Sequence, residues 1–229
     1  MTNKTRPNVF TMPEKSIENI INVRKSWPDI FRESVSAKHI CRYFLENGIS
    51  SVLDIGCGYG KDTNYFTSQG LRVTGIDLSS RIIRQATALW GTTKPSFIIG
   101  DMRKLPFADC SFDAVYGNMS YHLLPDKESR DDAAKEMHRV LRPEGIVFQV
   151  LFSSNDLRNV PDSEQNTHTL VNGEKTLINY LDEEEVRSSF ASFNIESLAE
   201  VQGTIGVWNP REIRTWYLAA RKPVNGHKF

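Results

Sequence analysis

The stretch VLDIGCGYG, Val52 to Gly60, ends an apolar run in an acid, Asp54, and follows it with glycines at alternate positions, Gly56, Gly58 and Gly60. A second apolar run ends at Asp77 and a third at Asp101. Acids closing successive strand-like runs, with a glycine loop behind the first, are what a pocket for a nucleoside-bearing cofactor needs. Backbone approaches a ligand closely only where no Cβ interferes. A carboxylate about 20 residues beyond such a loop is placed to accept hydrogen bonds from two ribose hydroxyls, and Asp77 has that position. Asp101 is placed to accept from an exocyclic amine such as the adenine N6.

The spacing separates two cofactor classes. A dinucleotide fingerprint carries its third glycine one position later, at residue 61, where this chain has Lys61. The alternating glycines after Asp54 therefore depart from the nicotinamide pattern.

These residues need strands and helices to hold them. SVLDI, LRVTGID, PSFIIGD, SFDAVYGN and GIVFQVLF read as five short buried strands. Between and around them, helices are expected from Ser34 or Ser36 to Asn47 (with Gly48 as its cap), Tyr59 to Ser68, Ser79 to Trp90 (closed by Gly91), and Asp126 to Leu141. An earlier helix is expected over PEKSIENIINVRKSW, and a later one from Asp182 to Phe193. IESLAEVQ and IRTWYLAAR are two further strands, able to close the sheet as an antiparallel pair. Alternating strands and helices predict an α/β doubly wound, Rossmann-like sheet, with the ligand outside the carboxyl ends of the strands. Asp54, Asp77, Asp101 and Asn118 all fall at those ends. Residues 153–179 exceed ordinary loop length and are expected to form a lid.

Composition narrows the partners. The chain has 229 residues, with 28 acidic and 28 basic side chains, so no basic excess argues for nucleic acid. The cysteines Cys41, Cys57 and Cys110 show no metal spacing, and reduced thiols fit a cytoplasmic protein. The polar start MTNKTRPNVF has no apolar signal core, and no apolar run reaches membrane-spanning length. The expectation is a cytoplasmic protein with neither metal nor membrane partner.

The segments VLDIGCGYG, GIDLS, GDMRKLPF, FDAVYGNMSYHLLP and LRPEG, in that order over residues 50–150, resemble the class I S-adenosylmethionine-dependent methyltransferases. The nearest likeness is the small-molecule branch grouped as methyltransferase type 11. The resemblance implies a seven-stranded sheet of order 3-2-1-4-5-7-6 with strand 7 antiparallel. It implies one domain: a helical cap over 1–48, a cofactor-binding core over 49–152, a lid over 153–181, and a C-terminal helix and strand pair over 182–229. It also assigns roles. Gly56, Cys57, Gly58 and Gly60 would cradle the methionine part of the cofactor, with Asp54 binding its amino group. Asp77 would hold the ribose, with Leu78 against adenine. Asp101 and Met102 would flank the adenine, and Asn118 would contact the methionine end.

Methyl transfer from a sulfonium is an in-line displacement to a small-molecule acceptor, leaving S-adenosylhomocysteine. Alignment and exclusion of water are the main work, and a base is needed only for a protonated nucleophile. His122, just past Asn118, is the expected base, and Tyr121 the expected orienting group. Trp27, His168, Tyr180 and Trp208 are expected around the acceptor. Prolines that follow Asn or Asp in enzymes methylating planar nitrogens are missing from Asn118-Met119-Ser120-Tyr121, which argues against DNA-adenine or glutamine-amide chemistry. The rival readings are a non-catalytic cofactor-binding partner or regulatory subunit, and a protein or RNA methyltransferase.

Overall fold

The structure is a computed structural model and describes residues 33–91, 95–159, 167–169, 175–205 and 211–224. In chain order the elements are α1 (Val35–Glu46), β1 (Ser51–Ile55), α2 (Lys61–Ser68), β2 (Arg72–Asp77), α3 (Ser80–Trp90), β3 (Ser96–Ile99) and β4 (Phe112–Asn118). There follow a single 3-10 turn (Tyr121–Leu123), α4 (Lys127–Val140), β5 (Leu141–Phe152), β6 (Thr167–Thr169), β7 (Lys175–Leu177), α5 (Glu183–Ser189), β8 (Asn194–Ile205) and β9 (Arg211–Arg221). The expected helix over residues 13–27 lies outside the described residues.

Seven strands form one sheet in the order β3-β2-β1-β4-β5-β9-β8. The first five run parallel, and β9 is antiparallel to both β5 and β8. With β8 and β9 as sixth and seventh strands of the sheet, this is the order 3-2-1-4-5-7-6. β6 and β7 form a separate two-stranded antiparallel hairpin within the stretch expected to be a lid.

Alternation along the central strands builds a core on each face. Leu53, Ile55, Val115, Val147 and Leu151 meet Ala133, Met137 and Val140 of α4, and Val186 of α5 with Phe190 beyond it. Val52, Ala114, Tyr116, Phe148 and Val150 meet Ile40 and Phe44 of α1 and Phe66 of α2 on the other. Tyr116 sits between rings, stacked on Phe148 and edge-on to Phe66. Burying a side chain such as Phe44 or Phe66 contributes about 1.5–3 kcal/mol, more than a helix cap, so packing decides where these helices sit.

Three boundaries differ from the sequence reading. α2 begins at Lys61, because Gly60 adopts φ +74° and turns the chain at the helix entrance. α4 stops at Val140, and β5 takes over at Leu141. That early start is possible through an irregularity against β4 between Phe112 and Ala114. α5 ends at Ser189, after a capping box in which Asp182 and Glu185 each accept from the other's backbone N–H.

Candidate functional site

The carboxyl ends of β1, β2 and β4 converge on the turn between β1 and α2. Gly56 and Gly58 both have positive φ, +65° and +54°. The glycines serve different ends. A Cβ on Gly56 would lie 2.3 Å from the Ser120 Cβ, so this glycine lets the loop after β4 close against the turn. A Cβ on Gly60 would lie 2.4 Å from the Phe97 ring, so that glycine is needed for packing on β3. A Cβ on Gly58 meets nothing within 4 Å, which leaves open space on its side of the turn.

Asp77 is tied to this turn. Its Oδ2 accepts the Gly58 N–H at 3.1 Å, and its Oδ1 accepts the Ser79 N–H at 2.9 Å. The Gly58 N–H is thus committed to Asp77, and what Gly58 offers a ligand is the missing Cβ. Leu78, next along the chain, is 69% exposed at the strand end. An exposed leucine beside a ribose-type acid fits the packing surface that a purine would need.

Asp54 is 2% exposed and accepts the Thr63 hydroxyl at 2.5 Å. Burial, with the Asp62 carboxylate beside it, pushes its pKa up to about 8, against the pull of the Thr63 hydrogen bond. Asp113, at the opposite end of the sheet, shows the reverse balance. Burial is its largest influence, but hydrogen bonds from Ser50, Arg142 and Ser51 outweigh it and bring that acid down to about 2. At the glycine turn the donors come from Thr63 alone and do not outweigh burial, which suits a site awaiting a cation.

Asp62 was not among the residues expected from sequence. It is 5% exposed and accepts hydrogen bonds from the Ser34 N–H (2.6 Å), the Ser34 hydroxyl (2.8 Å), the Tyr116 hydroxyl (3.0 Å) and the Asn118 Nδ2 (3.1 Å). An acid in the first turn of a helix normally reads as a complement to the helix dipole, and that is the signal it carried in the sequence.

Asp101 and Met102 follow β3. The Asp101 carboxylate is turned to Arg103, which donates from its backbone N–H (2.9 Å), Nε (3.0 and 3.1 Å) and Nη2 (2.6 Å). The Arg103 guanidinium holds this acid below the usual carboxylate range. An exocyclic amine at Asp101 therefore has Arg103 as a competitor. Met102 reaches the glycine turn, its Cε lying 3.7 Å from the Cβ position of Gly56. The loop is fastened from α4: Arg139 donates to the carbonyls of Leu105 (3.0 Å) and Phe107 (2.8 Å), and Glu136 accepts the Leu105 N–H at 2.7 Å.

Other expected residues sit elsewhere. The Cys57 thiol turns beneath β2, 2.9 Å from the Cβ position of Gly75, and burial pushes its pKa up, so only its backbone belongs to the turn. Tyr121 is fully buried against Phe190, and its hydroxyl donates to the Arg130 carbonyl at 2.9 Å. His122 is 1% exposed, its ring 4.4 Å from that of Phe152, and its Nδ1 accepts the Phe152 N–H at 3.3 Å. Packing draws both side chains of the loop after β4 into the core, where the sequence leads one to expect an orienting hydroxyl and a base.

Tyr180 is half-buried at the sheet end, its ring 5.6 Å from Phe152, which also carries the Arg158 guanidinium over its ring at 4.5 Å. His168 lies in β6, paired with Thr176. Trp27 and Trp208 lie outside the described residues. Among the described residues no group of three His, Cys, Asp or Glu is placed to hold a metal ion, and Cys41, Cys57 and Cys110 are free thiols. No described helix is long and apolar enough to cross a membrane.

Residues 53–149 match the family described as "Methyltransferase domain". Malonyl-[acyl-carrier protein] O-methyltransferase of Pseudescherichia vulneris is 35% identical over 108 residues, which are 47% of this chain and 41% of the relative. The 2-methyl-6-phytyl-1,4-hydroquinone methyltransferase of Synechocystis is 31% identical over 179 residues, 73% of this chain and 52% of the relative. The chain thus spans about half the length of the curated relatives it matches. A solved S-adenosylmethionine-dependent methyltransferase from Methanosarcina mazei superposes with a TM-score of 0.66 at 25% identity, covering 77% of this chain and 94% of that one. Burkholderia thailandensis 1,6-didemethyltoxoflavin-N1-methyltransferase, solved with bound S-adenosylhomocysteine, shares the fold at a TM-score of 0.59 and 21% identity, covering 85% of this chain and 79% of that one.

Proposed function

The chain belongs to the class I S-adenosylmethionine-dependent methyltransferases, and on that premise we propose that it transfers a methyl group to a small-molecule acceptor. The observation that carries the reading is the Asp77 carboxylate joined to the Gly58 N–H, with open space at Gly58 and the exposed Leu78 beside it. When bound, S-adenosylmethionine supplies a methyl already activated on a sulfonium.

The residues then divide the work. Asp77, whose oxygens keep further lone pairs beyond the two N–H groups they accept, would take the ribose hydroxyls. Leu78 and Met102 would pack against the purine. Asp54 would accept the ammonium of the amino-acid end, and Asn118 would face the same end. Much of the rate would come from alignment and from removing water at the strand ends. Tyr121 and His122 contribute packing, so this reading assigns no base to that loop.

Two of the relatives take their names from malonyl-acyl-carrier protein and a phytyl hydroquinone, which supports an acceptor of small-molecule character. The balanced charge of 28 acids against 28 bases supports the same class over RNA. The test is turnover: the protein is incubated with S-adenosylmethionine and a metabolite mixture, and S-adenosylhomocysteine is measured against a control without the mixture. Accumulation above the control is expected. Saturable cofactor binding without turnover on any mixture would support a non-catalytic partner subunit instead.

A further inference from the structure

We infer that Asp62 is a positioning residue of this site: its carboxylate fixes the Asn118 amide and the entrance of α1 around the amino-acid end of the cofactor. The inference rests on the proposed function and adds to it a residue that neither motif nor spacing marks out.

Four donors from two other elements converge on this one buried carboxylate. Ser34 belongs to the start of α1, which it caps by accepting the Ala37 N–H at 3.0 Å. Tyr116 and Asn118 belong to the last three residues of β4, and Asp62 itself to the first turn of α2. The Ser36 hydroxyl extends the network, 2.9 Å from that of Ser34 and 3.1 Å from that of Tyr116. Stability alone is a poor account of it. Taking a carboxylate out of water costs several kcal/mol, and well-packed apolar side chains often hold helices together as well.

Orientation is the better account. With one Nδ2 hydrogen given to Asp62, the Asn118 amide is held in one orientation, which fixes where its carbonyl oxygen stands as an acceptor. An acceptor at the end of β4, the strand paired with the β1 that carries Asp54, suits an ammonium. Asp62 also stands close enough to Asp54 to raise that acid's pKa, with burial the larger cause. Burial, with the Asp62 carboxylate beside it, keeps a proton on Asp54, and an ammonium can take that proton's place, which favours a positively charged group at this site. The same carboxylate holds the Ser34 backbone, so the point where the chain enters α1 is set by the group that sets Asn118.

The test compares ligands with and without the amino-acid end. Binding of S-adenosylmethionine, S-adenosylhomocysteine and methylthioadenosine, which lacks the amino-acid group, is measured by calorimetry on wild type, Asp62→Asn and Asp77→Asn. Asp62→Asn is expected to weaken the two amino-acid-bearing ligands by about tenfold or more while methylthioadenosine changes by less than about twofold. Asp77→Asn, at the ribose, is expected to weaken all three. Equal losses for all three ligands in a folded Asp62→Asn protein, or none, would overturn the inference. Should Asp62→Asn not fold, Ser34→Ala and Asn118→Ala carry the same comparison, with the same split expected and equal losses again decisive against it. A wild-type protein that binds none of the three overturns the proposed function itself, and the inference with it.

Discussion

The Asp77 carboxylate holds the Gly58 N–H at 3.1 Å, so the acid ending the second strand and the glycine turn after the first form one unit. The second oxygen holds Ser79 at the entrance of α3. The acid therefore sets the shape of the turn before any ligand meets it. A ribose arriving there would find a carboxylate already oriented by two N–H groups, at little cost in side-chain freedom.

Replacing that acid separates loop shape from charge. Asp77→Ala is expected to abolish saturable S-adenosylmethionine binding, and Asp77→Asn to weaken it by about tenfold or more, because charge-assisted hydrogen bonds are roughly twice as strong as neutral ones. Calorimetric titration of both variants checks this. Wild-type affinity in Asp77→Ala would remove Asp77 from the site.

The glycines should fail in different ways. Gly56→Ala drives a Cβ to within 2.3 Å of Ser120 and is expected to lower the melting temperature sharply. Gly58→Ala meets no atom within 4 Å and is left with the strain of a positive φ, about 1–2 kcal/mol. Its larger effect is expected on cofactor affinity. Thermal melts and titrations on the two variants should rank them oppositely, and the same ranking by both measures would refute the assignment.

Asp54 links the site to pH. Its folded pKa of about 8 lies above the unfolded value of about 3.9, so the folded protein holds a proton that the unfolded chain releases. Its contribution to stability is present below about pH 4 and is lost as pH rises towards 8, at up to about 1.4 kcal/mol per pH unit. Urea unfolding of the ligand-free protein across this range should show a slope that Asp54→Asn reduces. Cofactor binding should tighten over the same range with release of a proton, since the carboxylate is the form that accepts from an ammonium. Titrations in buffers of different ionisation enthalpy measure that proton.

Tyr121 and His122 should behave as core residues. Tyr121→Phe removes the hydrogen bond to the Arg130 carbonyl, an expected loss of about 0.5–1.5 kcal/mol in unfolding free energy. His122→Ala opens a cavity against Phe152 and should cost stability as well. Turnover per folded molecule is expected near wild type in Tyr121→Phe. A hundredfold fall in turnover with the melting temperature unchanged, on the scale of about 10²–10⁴ for losing an acid–base group, would restore the catalytic reading.

Legibility in the sequence differed by residue. Asp54, Asp77, Asp101 and Asn118 could be placed at strand ends because apolar runs of four to seven residues, punctuated by glycine and acid, mark where buried strands stop. Tyr121 and His122 looked catalytic for the same reason, their place just past a strand end. Spacing does not say which way a side chain turns in a 3-10 turn. Here Phe190 on one side and Phe152 on the other draw both rings inward.

The sequence by itself determined the alternation of strands and helices, the open glycine turn and the acids around it. Each of those is a local pattern: a periodicity, a positive φ, or a residue ending an apolar run. Only the tertiary structure decided that Asp62 would gather Ser34, Tyr116 and Asn118, partners 28, 54 and 56 residues away. Those contacts exist because β4 inserts beside β1, so the last residues of a strand meet the first turn of a helix from another unit. The strand order rests on packing both faces of the sheet at once, and no single stretch of the chain contains that information.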